Sequence, residues 1–298
     1  TTRLSRSINP DNNFEVKIPQ KLPIIPPRNL TSDSFLTRFR NHKCVSDADM
    51  RDYKTREIYL FVINFHHTKY KAASFIRNEI YRLFADKYPY DFDLLLIGPK
   101  ENSQLKIYGN RLFSKGYYAY HSMRVAINLF PPEAGYTYAG YFEANDDSCL
   151  QPTLLGKEDH NKAMSERSYT WFIEEKWMWN NIHNRNKVLF SRAFLDAVTE
   201  IESKPTLHNL CNFNSSKLRR GWGDFFYFPK SNLTTFLELE SVMYKHYVFL
   251  ENAVPFIMNC LTPNVIKDCN HGKMPDRQIC PHLHPVKFSR PQERRICV

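Results

Sequence analysis

The chain has 298 residues, 42% of them hydrophobic and 14% aromatic, which is enough to build one large domain or two small ones and excludes a disordered chain. Its 9 glycines are less than half the usual share of about 7%, and no GxGxxG or GxxxxGKS/T motif occurs. Collagen-like sequence and Gly-rich phosphate loops are therefore excluded. Lys and Arg outnumber Asp and Glu by 41 to 31, a formal net charge of +10, which favours anionic partners: nucleic acid, anionic glycans, nucleotide-sugar diphosphates or acidic membranes.

The first 55 residues hold a proline cluster, PQKLPIIPP from Pro19 to Pro27, and little periodicity. They read as an extended stem or strap wrapped on the domain. The opening stretch Thr1 to Asn13 is polar and has no initiator Met, the expectation for an excised piece of a longer precursor whose signal or anchor lies elsewhere.

The fold proper is expected to start near Thr55. Glu57 to Phe65 (EIYLFVINF) is a continuous apolar run, the pattern of a strand buried on both faces. Ala72, Phe75, Ile76, Ile80, Leu83 and Phe84 then recur at helical spacing across Lys71 to Ala85. A second buried strand follows at Phe92 to Ile97, stopped by Gly98-Pro99, and a helix from Tyr118 to Phe130 is ended by Pro131-Pro132. Tyr138 to Ala144 is the third strand and delivers Asn145-Asp146-Asp147 at its end. Alternating strands and helices predict a parallel α/β sheet, whose ligands collect beyond the carboxyl ends of the strands. The second half predicts helices at Glu174 to Asn181, Phe190 to Ile201 and Leu233 to Leu250, with a short strand from Asp224 to Phe228. The longest apolar runs fall far short of the ~20 residues of a membrane helix, so a soluble chain without a membrane span is expected.

Four of the seven cysteines (Cys260, Cys269, Cys280 and Cys297) crowd the last 39 residues. Disulfides would compensate there for a missing core. The competing reading is zinc, because Cys269-x-His271 and Cys280-x-His282-x-His284 form a mixed ligand set, although their spacing matches no common finger. Sequons at Asn29, Asn214 and Asn232 suit a secretory protein.

Asp146 and Asp147 are adjacent, so in a persisting strand they point to opposite faces, whereas a strand end can aim both at one ion. A few hard oxygen ligands suit Mg²⁺ or Mn²⁺, which leave positions open for phosphate oxygens. A solvated turn is the competing reading. Asp224 and Glu251 are candidate general bases, with a turn or cap residue and a helix-terminal charge as the competing readings, and His246 is a candidate to complete a metal shell or hold a phosphate. Arg219 and Arg220 are placed for charge-assisted bonds to a diphosphate. Among the four tryptophans Trp177 reads as core, whereas Trp222, between Gly221 and Gly223, is the better surface for stacking a sugar. The basic residues are scattered, the densest groups being Arg219-Arg220 and Arg290 to Arg295, without an aromatic-interleaved RNA motif. This argues against nucleic acid as the partner.

Asn64-Phe65-His66 after the first strand, Gly98-Pro99 after the second, the segment Gly116 to Tyr120, and Tyr138 to Asp147 (YAGYFEANDD) together resemble a glycosyltransferase family that includes the plant STELLO-type Golgi proteins. Gly223 to Pro229 and Tyr244 to Pro255 are similar to that family's second half, so the resemblance runs from Ile58 to Leu261. Ser148-Cys149 departs from the pattern, which continues hydrophobically after the acidic pair. The resemblance implies an α/β, GT-A-like (Rossmann-like) mostly parallel sheet flanked by helices, a Golgi or secretory lumenal setting, and Asp146 and Asp147 at a metal- and sugar-nucleotide-binding motif. Asn64 and Asn145 would then line the donor site.

The expectation is thus a stem over residues 1–55, a GT-A-like domain over 56–261 and a Cys/His/Pro-rich tail over 262–298. Its function is transfer of a sugar from a nucleotide-diphosphate donor, UDP-sugars favoured, to a glycan or glycoprotein acceptor with Mn²⁺ or Mg²⁺. A related domain without turnover, serving as a glycan-binding or scaffold module, is the alternative. A metal-dependent phosphoryl-transfer enzyme or nuclease on the same acidic pair is the third reading.

Overall fold

The apolar runs of the sequence become strands at the middle of a mixed, mostly parallel sheet. The computed structural model describes residues 32–39, 57–67, 70, 72–109, 117–166, 168–170, 187–211, 219–262, 264–265, 268–270 and 281–284. In chain order these form β1 (Leu36–Phe39), β2 (Ile58–Asn64), α1 (Ala73–Phe75), a π-helical turn (Ile76–Ile80), α2 (Tyr81–Lys87), β3 (Asp91–Gly98), β4 (Ile107–Gly109), α3 (His121–Leu129), β5 (Gly140–Asn145) and β6 (Cys149–Leu150). There follow α4 (Pro152–Leu155), β7 (Met164–Ser165), β8 (Ser168–Thr170), α5 (Lys187–Glu202), α6 (Pro205–Cys211), β9 (Arg219–Gly221), β10 (Phe225–Pro229), α7 (Leu233–Lys245), α8 (Leu250–Cys260), β11 (Asn264–Val265), β12 (Asp268–Asn270) and β13 (His282–His284).

The main sheet has the order β1-β3-β2-β5-β10-β7-β11, with β4 beside β3. β2 is parallel to both β3 and β5, whereas β10 runs antiparallel to β5 and β7. Alternate side chains of β2 enter two cores. Tyr59, Phe61 and Ile63 pack with Ile76, Ile80 and Phe84 on one face, and Leu60 and Val62 pack with Met123, Phe194, Leu239 and Val254 on the other. Burial on both faces is why the strand reads as an unbroken apolar run.

The connection from β2 to β3 passes over one face and the connection from β3 to β5 over the other, so the winding reverses between β2 and β5. Such a reversal opens a crevice at the carboxyl edge. Register then lines up the polar residues there: Asn64 is opposite Asn145, and Phe225 is opposite Ala144, which puts Asp224 next to Asn145 at the same edge.

Several expectations are modified. The single helix expected over Leu233 to Leu250 is two, α7 and α8, separated by a turn in which Tyr247 adopts a left-handed φ of 55°. Tyr120 Oη donates to the Val248 carbonyl at 2.8 Å, and Leu250 N–H donates to the Tyr117 carbonyl at 2.9 Å, so the break is held by the segment leading into α3. Helix α8 continues through Pro255, which lacks the N–H for the Glu251 carbonyl; every residue of it except Asn259 is buried, and that packing overrides local propensity. β1, from the stretch read as stem, pairs antiparallel with β3 as an edge strand. Parts of the tail also enter sheet structure, since β12, β13 and β6 form a three-stranded sheet.

Cys260, counted above with the tail cysteines, pairs outside that group, in a disulfide with Cys211 that joins α6 to α8. Cys149 is also disulfide-bonded. The helix expected at Glu174 to Asn181, with Trp171, Trp177 and Trp179, and the residues Cys44, Gly116, Cys280 and Cys297 lie outside the described residues. Among the described residues no helix is long and apolar enough to cross a membrane.

Candidate functional site

The crevice between β2 and β5 is lined by residues that leave the ends of three neighbouring strands. Asn64 closes β2 and is buried; its amide donates to Glu143 Oε1, to Ser122 Oγ at 2.8 Å and to the Ala119 carbonyl at 3.3 Å. Its Nδ2 is thus fully committed, whereas its Oδ1 is buried without a hydrogen-bond partner among the described residues. Burial pushes the Glu143 carboxyl well above the usual carboxylate range, as suits a group shut inside a sheet with an amide partner.

Asn145 links the other two strands. Its Oδ1 is 2.8 Å from His66 Nε2, its Nδ2 donates to Asp224 Oδ1 at 2.5 Å, and its backbone N–H donates to the Asp224 carbonyl at 3.1 Å. Two side chains are therefore oriented by one amide.

Asp146 and Asp147 lie in the turn after β5 and part company there. The Asp146 backbone N–H donates to the Asn64 carbonyl at 2.8 Å, and its carboxylate accepts the His66 backbone N–H. Burial raises that carboxyl to about 6, against the pull of His66. Asp146 thus locks the turn to the end of β2. Asp147 turns the other way, with its side chain 38% exposed, and its Oδ1 stands 3.2 Å from His284 Nε2. Although burial opposes ionisation, His284 and His66 hold the Asp147 carboxyl below its usual value.

The fourth wall comes from the tail. Strand β13 pairs with β6, directly after the acidic turn, and its two alternate residues His282 and His284 stand with near-parallel rings, 8° apart. His284 Nδ1 is 3.3 Å from Asp224 Oδ2, so the ring lies between Asp147 and Asp224. Burial alone would lower its basicity, yet the two carboxylates push the His284 imidazolium up to about 9. His282 Nδ1 is 2.9 Å from Glu166 Oε1, with both side chains buried, and its ring stacks on Phe225 at 5.2 Å. The other Glu166 oxygen accepts the Asp224 backbone N–H at 3.1 Å. Asp224 itself is buried, and that burial raises its carboxyl to about 6.

Of the residues nominated from the sequence, Asn64, Asn145, Asp146, Asp147 and Asp224 come together here. Glu251 is in the first turn of α8 and buried; its neighbour Leu250 packs on Gly223 so closely that a side-chain carbon there would lie 3.0 Å from Leu250 Cγ. Trp222, half-buried, precedes this contact on the segment leading to Asp224. Arg219 and Arg220 lie on β9, paired with β8, and their side chains lie outside the described residues. His246 is not brought to the cluster as a metal ligand: its Nε2 is 2.7 Å from Glu200 Oε2 on α5. The break after α7 turns it toward that helix.

His66, Glu166 and the role of His282 and His284 beside the acidic residues were not foreseen. The His-x-His spacing held the signal, because residues two apart on a strand share a face. Among the described residues no group of three His, Cys, Asp or Glu side chains is arranged to hold a metal ion. Compared with known proteins, the chain matches no family model, no curated protein and no solved structure.

Proposed function

We propose that the chain is a GT-A-like glycosyltransferase domain that moves a sugar from a nucleotide-diphosphate donor, a UDP-sugar first, to a glycan or glycoprotein acceptor with Mn²⁺ or Mg²⁺. The observation that carries this reading is the place of Asn145-Asp146-Asp147: it leaves a central parallel strand at the crevice where the winding reverses, with one carboxyl locked inward and the other ionised and partly exposed. Ligands of open α/β sheets collect at such a crevice.

The donor set fits an ion that arrives with its substrate rather than one caged by protein. Asp147 presents a carboxylate, and Mg²⁺ or Mn²⁺ held by one or two protein groups takes its remaining ligands from water and phosphate. When bound, the ion supplies positive charge to the diphosphate leaving group. Asp146 keeps the turn in place through its backbone links to Asn64 and His66. Trp222 offers a flat apolar face to a sugar, and Arg219 and Arg220 bring positive charge on the strand before it. Both Asp224 oxygens are engaged, by Asn145 and His284, which leaves Glu251 as the carboxylate assigned to accept the acceptor's proton. The Cys211–Cys260 disulfide is compatible with an oxidising compartment, and the secretory lumen is the setting proposed with this reading.

A second reading, the same fold without turnover as a glycan-binding or scaffold module, is favoured by one observation: the carboxylates already have partners in His284 and the His66 backbone. Calorimetric titration with UDP and GDP, in Mn²⁺ and then in EDTA, separates the two. The transferase binds nucleotide only with metal and loses at least ~10-fold in affinity with Asp147→Asn, about one charge-assisted contact. A folded protein that binds neither nucleotide is the scaffold.

A further inference from the structure

His160 packs at the other end of β2 from the crevice, where Tyr59 pairs with Gly140, and belongs to the connection 156–163 between α4 and β7. Five rings surround its imidazole: Tyr59 and Tyr90 at 5.0 Å, Tyr227 of β10 at 5.4 Å, Phe142 of β5 at 5.8 Å and Tyr88 at 6.2 Å between centroids. Its Nε2 is 3.1 Å from the Leu155 carbonyl, an oxygen that only accepts, so Nε2 carries the ring proton. Nδ1 is then the bare nitrogen; it is buried and has no hydrogen-bond partner among the described residues. Both carboxylates near the ring are engaged elsewhere. Glu57 accepts the Tyr59 hydroxyl at 2.9 Å, and Asp159 accepts the Asn161 N–H at 3.1 Å and faces Lys162 at 3.5 Å. The cage therefore suits a neutral ring and offers a second proton nothing to bond. Burial accordingly holds the imidazole below its ordinary value of 6.5, against the pull of the Leu155 carbonyl, Glu57 and Asp159.

The same residue ties its connection to the sheet. The Tyr227 hydroxyl donates to the His160 carbonyl at 2.7 Å, whereas the N–H groups of Lys157, Glu158 and Lys162 bond locally, to the carbonyls of Leu154, Leu155 and Asp159. A largely self-bonded segment thus grips the sheet through His160. The segment runs into β7 and Glu166, which receives the Asp224 N–H and pairs with His282. We propose that His160 is an acid-sensitive latch: a second proton, on Nδ1, drives the ring from its cage and frees 156–163 from the sheet. Once outside, the imidazolium is hydrated, so the open form binds the proton that the closed form refuses. The closed form is favoured above the ordinary imidazole value of 6.5 and loses that advantage as pH falls below it. Neither nucleotide nor metal enters into this device, which stands whether or not the chain is a transferase.

Two measurements on the full chain test this. Imidazole nitrogen spectra read the tautomer and titration of His160, and hydrogen exchange, corrected for the chemical effect of pH, reads the opening of 156–163 between about pH 7.5 and 5. The wild type is expected to show the Nε2–H tautomer and to protonate His160 only below 6.5. Its opening equilibrium should rise below that value at a rate approaching about tenfold per pH unit. His160→Gln, which keeps an N–H for the Leu155 carbonyl but has nothing to titrate, abolishes the rise. His160→Phe serves as the second replacement if thermal melts show that His160→Gln is unfolded. Peptides of α3 and β5 stay protected throughout. His160 titrating at or above 6.5, the result if the ring faces stabilise the cation, overturns the proposal. So does an opening that is flat in the wild type, a rise that persists in a folded replacement, or a rise shared equally by the central strands, which is global acid unfolding.

Discussion

Asn145 shows how much of the crevice depends on one uncharged side chain. Its amide orients His66 on one side and Asp224 on the other, and it does so from a fully buried position. Truncation removes two hydrogen bonds and leaves a buried carboxylate short of a donor, which costs about 1–3 kcal/mol. Asn145→Ala is accordingly expected to unfold at lower urea concentration than the wild type, by that amount and with an unchanged denaturant slope. A loss within error would mean that water replaces the amide. Asn145 was nominated from its place after the third strand, yet this bridging role was hidden, since it depends on the register between β5 and β10. Asp147 was legible for the same reason as Asn145. His284 was read as a zinc candidate, because a short His-x-His strand carries no trace of its partners Asp147 and Asp224, both far earlier in the chain.

At the scale of elements, the strands were the most legible part, since continuous apolar runs such as IYLFVIN are what burial on both faces requires. The break between α7 and α8 was not. The left-handed residue there is Tyr247 rather than glycine or asparagine; the Tyr247 and Val248 N–H groups close the helix end on the Tyr244 and Met243 carbonyls, and the tertiary bonds from Tyr120 and to Tyr117 fix the break. The break has an electrostatic counterpart. Lys245 and His246, at the end of α7, and Lys204 all converge on Glu200 of α5. Lys245 foremost, with His246 and Lys204, draws the Glu200 carboxyl down to about 2 from the ordinary value of 4.5. A depressed acid contributes stability that is present above the unfolded pKa and lost as pH falls through the folded one. Glu200→Gln should therefore melt below the wild type at pH 6, with the gap closing between pH 4.5 and about 2. A difference independent of pH across that window would show that packing, not charge, joins the two helices. Glu200 is half-buried but its lysine partners are exposed, so the effect is small and shrinks further in salt.

At the scale of the molecule, the tail is keyed to the domain by histidine–carboxylate pairs, of which the His282–Glu166 pair is the most deeply enclosed. Removing the histidine leaves the buried Glu166 carboxyl oxygen without that partner, which costs about 1–3 kcal/mol. His282→Phe, which keeps the stack on Phe225, is expected to lose about that much by chemical denaturation, and adding Glu166→Leu should recover part of it. No recovery in the double variant would mean that shape rather than charge seats the strand. The α/β architecture was legible in the sequence because each strand announces itself locally. The docking of β13 was not, because its partners on the domain are β6, Glu166 and the acidic turn, all distant in the chain.

That distance has a bearing on how the protein comes to work. The crevice draws on Asn64 at one extreme and His284 at the other, and contacts of such long range are the slowest to form because chain closure precedes any reward. The central strands are each joined by a single crossover, and they are expected to pair before the His-bearing strand docks. A molecule can thus be folded, melt cooperatively in its core and still lack a working crevice. Assembly of the site, rather than folding of the sheet, is the step at which function begins.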